Sequence, residues 1–188
     1  MTATTIDPRT ALVVIDLQRG IVALPTAHPA REIVARAAKL AAAFRERGLP
    51  VVLVNVAGGP PGRNEGPAMS GSLPADWTEL VDELDVQDGD IRITKLQWGA
   101  FHGTALDLEL RRRGVTQIVL AGISTSIGVE STARAAHEHG YHVTVAADAV
   151  TDTDAESHAH AFAKIFPRLA ETAGTDEIIA LLPAVPAA

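Results

Sequence analysis

Four runs rich in Val and Ile recur along the chain: Ala11–Leu17 (ALVVIDL), Pro50–Val56 (PVVLVNV), Gln117–Ile123 (QIVLAGI) and His142–Asp148 (HVTVAAD). They lack the strict polar alternation of a half-exposed strand, so each is expected to be a strand covered on both faces, as in a parallel sheet. Asp90–Lys95 (DIRITK) reads as a further strand, whereas Asp176–Leu181 (DEIIAL) fits strand or helix equally. Between these runs, apolar residues take a helical spacing over Pro29–Arg47, Thr104–Arg113, Gly128–His139 and Asp154–Arg168. Gly48, Gly114 and Gly140 each follow such a stretch, where a left-handed cap is easiest for glycine.

Strand and helix alternating in this way imply right-handed crossovers. The expected fold class is α/β, a doubly wound, mostly parallel sheet of about six strands with helices on both faces, a three-layer arrangement. One domain is expected to span residues 1–188. The segment Ala57–Pro74 (AGGPPGRNEGPAMSGSLP) interrupts the rhythm with glycines and prolines. It is long for a passive connection, so it reads as a binding loop or lid, with a surface insertion as the alternative. The last residues, PAVPAA, read as a tail.

Composition narrows the partners. Of 188 residues, 47% are hydrophobic, enough for a well-buried core. The 23 acidic and 16 basic residues give a net charge of -7 and are mixed along the chain, so no basic stripe offers a footprint for nucleic acid. No apolar run approaches the roughly 20 residues that span a bilayer, and the N-terminus lacks a secretory pattern, so no membrane partner and a cytoplasmic location are expected. The chain has no cysteine, which removes disulfides, thiolate metal sites and a cysteine nucleophile together.

In a doubly wound sheet, ligands bind beyond the carboxyl ends of the strands. Asp16 ends the first run, Lys95 ends IRITK, and Ser124–Gly128 follows QIVLAGI. A carboxylate there is partly desolvated, which raises its pKa, and a nearby ammonium lowers it, so Asp16 and Lys95 form a tunable acid or base. Read singly, they are a turn residue and an edge charge. The turn into the helix near Gly128 leaves backbone N–H groups without intrahelical partners, a site for negative charge. Equally, Gly128 reads as a point where the helix approaches the sheet closely.

Taken together, ALVVIDLQ, ITKLQWGAFHGTALDLELRRRGVTQIVLAGISTSIGVESTARAA and YHVTVAADAVTD resemble the isochorismatase-like hydrolase superfamily, from about Thr10 to the last helix. The resemblance implies a doubly wound fold and an active site of Asp, Lys and usually Cys, at Asp16, Lys95 and Gly128. It places a cis peptide between Ile123 and Ser124 and oxyanion donors on the backbone N–H groups of Ser124 and Gly128. Amidases of the superfamily form an acyl-enzyme on their cysteine, a route not open to this chain. Ser124, Thr125 and Ser126 lie off the nucleophile position, and no histidine within the motif is placed to activate them.

Isochorismatases proper also carry Gly at this position. Their reaction, hydrolysis of a vinyl ether, begins with protonation of a carbon and needs a positioned acid rather than a nucleophile. The resemblance therefore implies Asp16 as proton donor, Lys95 as its orienting partner, and room for substrate or water where Gly128 lacks a side chain. This chain reads Ser126-Ile127-Gly128 where isochorismatases carry His-Ile-Gly, which leaves the substrate open.

Gln18, Asn55, Arg63, Gln97, Trp98 and Phe101 are candidate substrate-binding residues by location, with Arg63 the natural partner for a carboxylate. No metal or other cofactor is expected. The nicotinamidase pattern places histidines after the second strand, but Ala57–Pro74 has none, and His137/His139 and His158/His160 have a spacing that separates them on a helix. These four are read as solvated. A small-molecule substrate and a homo-oligomer, dimer or larger, are implied by the family. The competing readings are a noncatalytic binding domain, and a hydrolase of amides or esters working without cysteine.

Overall fold

The computed structural model describes residues 3–65 and 73–184. Of the segment Ala57–Pro74 and the PAVPAA tail, residues 66–72 and 185–188 therefore lie outside the described residues.

Six strands form one sheet: β1 (Thr10–Ile15), β2 (Val51–Val56), β3 (Ile91–Lys95), β4 (Gln117–Ile123), β5 (His142–Thr151) and β6 (Glu171–Ala173). All pairings are parallel, in the order β3-β2-β1-β4-β5-β6. The α/β doubly wound reading is thus correct. Helices α1 (Arg19–Val22), α2 (Ala30–Glu46), α3 (Leu106–Arg112), α4 (Glu130–Glu138), α5 (Ala155–His160) and α6 (Thr175–Leu181) complete it.

The uninterrupted apolar runs are explained by burial on both sides. Leu12 and Val14 of β1 pack with Ile33, Val34, Leu40 and Phe44 of α2 and Ile178 of α6. The alternate residues Ala11, Val13 and Ile15 pack with Leu106 and Leu110 of α3, Ala133 and Ala136 of α4, and Phe166. Gly48, Gly114 and Gly140 take φ of 66, 64 and 82°, the left-handed caps expected.

One open reading is decided and two change. Asp176–Leu181 is helical: the Glu177 carboxylate accepts the Gly174 N–H at 2.9 Å and stabilises the start of α6. Asp154–Arg168 is not one helix; Asp154 caps α5 by accepting the Ser157 N–H, and wider and tighter turns follow over Ala161–Ile165 and Phe166–Arg168. The helix expected from Gly128 is preceded by a wide, π-type turn, Thr125–Val129.

The strand order sets the site. The chain builds outward from β1 to β2 and β3, then returns to β4 on the other side of β1. The connections after β1 and β4 therefore diverge and leave a crevice at their carboxyl ends.

Candidate active site

Asp16 is the first residue beyond β1, and its φ of 53° lies in the left-handed region. Aspartate tolerates that conformation better than most residues, and such backbone positions gather at functional sites. Its N–H still bonds the Val54 carbonyl at 2.9 Å, so the turn begins from a strand fixed by β2.

Lys95 ends β3, two strands away. At about 4.8 Å per strand, only a long side chain passing over the end of β2 spans the interval. It does so: Lys95 Nζ donates to Asp16 Oδ2 at 2.6 Å, with the residues 2% and 5% exposed respectively. Asp16 Oδ1 is buried and has no hydrogen-bond partner among the described residues. Burial pushes the Asp16 carboxyl up to about 6, against the lowering pull of the Lys95 ammonium.

The third element is the turn after β4. The Ile123–Ser124 peptide is cis, as the resemblance implied. The Ser124 carbonyl accepts from Ile127 and Val129, and the Thr125 carbonyl accepts from Glu130, which gives the turn its wide pitch. Gly128 faces Asp16. A Cβ built on it would lie 2.8 Å from Ile15 Cγ2, 3.3 Å from Asp16 Oδ2 and 3.6 Å from the Trp98 carbonyl oxygen. The expectation of open room at Gly128 is therefore corrected: the helix has closed on β1, and the glycine permits that approach. Thr132 Oγ1 donates to the Gly128 carbonyl at 2.7 Å and accepts the Ala100 N–H at 3.1 Å, tying the turn to the loop after Lys95.

The structure thus brings Asp16, Lys95 and Gly128 together, with Ser124 at the start of the same turn. The other expected residues divide. Gln18 is buried with its side-chain amide committed to backbone: Nε2 donates to the Val56 and Trp77 carbonyls, and Oε1 accepts the Val56 N–H. Asn55 is held by Thr78 and Thr94. Gln97 donates to the His102 carbonyl. Arg63 is exposed. The Trp98 carbonyl lies beside Gly128, and the residue is 60% exposed. Phe101 is a core residue, packed on Tyr141 and His139, so its aromatic character marks burial.

Two residues were missed. Asp152, buried at the end of β5, accepts the Ser126 N–H at 2.6 Å. His158 on α5 is half-buried, with Nδ1 2.9 Å from Thr125 Oγ1. The reading of His158 as solvated is corrected: it meets the hydroxyl turn from outside the motif, across 33 positions of sequence. Its spacing to His160 carried no signal of that contact.

Comparison with known proteins agrees with this geometry. Residues 10–177 match the family model described as the isochorismatase domain. The chain is 48% identical over 179 residues to the isochorismatase family protein YecD of Escherichia coli, covering 90% of this chain and 94% of that one. It is 33% identical to the ureidoacrylate amidohydrolase RutB of Pseudomonas syringae, covering 74% and 69% of the two chains. An isochorismatase family protein from Burkholderia thailandensis superposes with a TM-score of 0.91 at 44% identity, covering 95% of this chain and 97% of that one. With the strand order, the cis turn and the aspartate–lysine pair already in place, the chain belongs to the isochorismatase family.

Proposed function

We propose that the chain hydrolyses a vinyl ether, or a similar small carboxylated substrate, by acid catalysis from Asp16 without a covalent intermediate. The observation that carries this reading is the half-satisfied state of Asp16. One oxygen is held by Lys95, the other is buried without a partner among the described residues, and the carboxyl is pushed up to about 6. An acid of that pKa is substantially protonated in mildly acidic solution and well matched to general acid catalysis near neutrality.

In the proposed reaction, protonated Asp16 delivers its proton to the terminal methylene carbon of the vinyl ether, and the adjacent carbon becomes an oxocarbenium ion. Water adds to that carbon and its proton returns to the Asp16 carboxylate. The resulting hemiketal breaks its C–O bond, releasing a keto acid and an alcohol. Lys95 keeps its proton throughout, orients Asp16 and attracts the substrate carboxylate, with Arg63 as a further carboxylate partner. As the hemiketal C–O bond breaks, the departing oxygen gains negative charge and takes up the proton lost by the hemiketal hydroxyl, and the N–H groups of Ser124 and Gly128 are assigned to that departing oxygen.

Amide hydrolysis, the reaction in the name of RutB, is less well supported in this chain. Cysteine is absent, and Thr125, the hydroxyl that does touch a histidine, is fully buried. Purified protein incubated with isochorismate should release pyruvate, and Asp16→Ala should not. Absence of release from folded wild-type protein overturns the reading. A ligand that raises thermal stability and is never consumed would identify a noncatalytic binding domain instead.

A further inference from the structure

The wide turn Thr125–Val129 is held from outside by two side chains from the last third of the chain. Such turns have less favourable hydrogen-bond geometry than α-helix, and their pitch depends on what surrounds them. Asp152 fixes the Ser126 N–H. The Thr125 hydroxyl, at the first residue of the turn, reaches His158. Thr125 is fully buried, and a buried hydroxyl left without a partner is costly, so the threonine rotamer is tied to the position of the imidazole.

His158 is itself fixed on its faces. His28, from the segment before α2, lies 4.8 Å away between ring centroids, and Phe162 lies 4.9 Å away. His28 is anchored in turn by its N–H and Nδ1, each 3.1 Å from Thr151 Oγ1. The titratable groups facing His158 are His28 and Asp152 at the end of β5, with Asp154 capping its own helix α5. Burial, followed by His28, holds its pKa below the ordinary histidine value, against Asp152. Near neutrality the ring is uncharged, and with its proton on Nε2 it accepts the Thr125 hydroxyl at Nδ1. Protonation would turn Nδ1 into a donor and force that bond to reverse.

We propose that His158 is a positioning residue for the candidate active site: through the Thr125 hydroxyl it sets the pitch of the turn, and so the aim of the Ser124 and Gly128 N–H groups. This rests on the proposed anion-binding role of those groups, but the position of the turn is measurable without substrate. The test uses His158→Leu, which removes the acceptor, His158→Asn, whose amide retains hydrogen-bonding groups near the place of Nδ1, Thr125→Val, and the Leu/Val double variant. Backbone amide resonances of the full chain and kcat and KM on isochorismate are the readouts.

His158→Leu and Thr125→Val should shift the Ser124, Ser126 and Gly128 resonances in the same direction and lower kcat about tenfold, with KM nearly unchanged, because misaimed groups are lost chiefly from the transition state. The double variant should be no worse than either single one, and His158→Asn should stay near wild type. Unmoved turn resonances in His158→Leu, losses that multiply in the double variant, or an Asn variant as damaged as the Leu variant would each overturn the proposal. If isochorismate is not turned over, the resonances alone decide it, and the two readings fail separately. Should His158→Leu not fold, Thr125→Val carries the same measurement.

Discussion

Among the described residues, two aspartates with buried side chains each meet a cation, and the two differ in one respect. Asp90, its side chain 3% exposed, meets Arg45 through both oxygens: Nε donates to Oδ1 at 3.1 Å and Nη2 to Oδ2 at 2.7 Å. The Gln87 N–H adds a further bond to Oδ2, and Arg45 also donates to the Leu84 carbonyl. Asp16, at 7%, is nearly as buried, yet it has one bonded oxygen and one left over. Burial is common to both pairs; saturation separates a strut from a site. A carboxylate with both oxygens bonded holds chain segments together, while one with a free acceptor keeps a position for a proton or a ligand.

The comparison can be broken by exchanging one atom in each pair. Asp16→Asn removes the acidic proton with little change in shape, and should lower turnover roughly 10²–10⁴-fold, the usual contribution of a positioned acid. Asp90→Asn should leave kcat unchanged but lower unfolding stability by about 3 kcal/mol, because the Arg45 guanidinium loses its buried counter-ion. Steady-state kinetics and urea midpoints on both variants check the crossing. Equal effects on activity would remove the distinction between the pairs.

Acidity sharpens it further. The proton-donor form of Asp16 dominates below about 6, so kcat/KM should fall about tenfold per pH unit above that value. Folding raises this carboxyl from its ordinary value of 3.8, so the native chain binds a proton that the unfolded chain releases. That contribution to stability is fully present below pH 4 and is lost as pH rises through 6. Stability curves of wild type and Asp16→Asn between pH 4 and 7 should differ by this slope. The smallest effect concerns the neighbouring glycine: Gly128→Ala puts a methyl group 2.8 Å from Ile15 Cγ2 and should destabilise by about 1–3 kcal/mol, read as a lowered urea midpoint.

Much of this arrangement was legible in the sequence because it is written in local pattern. Four of the five longer strands are apolar runs and β3 is a short alternating one, and Asp16, Lys95 and the turn fall at strand carboxyl ends, which parallel topology brings to one edge. The sixth strand is three residues, Glu171–Ala173, recognisable only through its pairing with Thr144–Ala146 of β5. Residue type misled where its environment decides its role. The amide of Gln18 resembles a ligand group until the Val56 and Trp77 backbone is seen to use it, and Phe101 resembles a pocket wall until Tyr141 covers it. Asp152 and His158 left no local trace, since their partners Ser126 and Thr125 lie far along the chain.

Thr132 deserves a last physical reading. Its single hydroxyl receives the Ala100 amide from the β3 side of the sheet and gives its proton to the Gly128 carbonyl on the β4 side. β3 and β4 are separated in the sheet by β2 and β1, so a flexing sheet would carry these connections apart. The hydroxyl acts as a crossbar: a single side chain outside the sheet joins the loop after Lys95 to the turn at Gly128, so their spacing is set by this bond as well as by strand pairing.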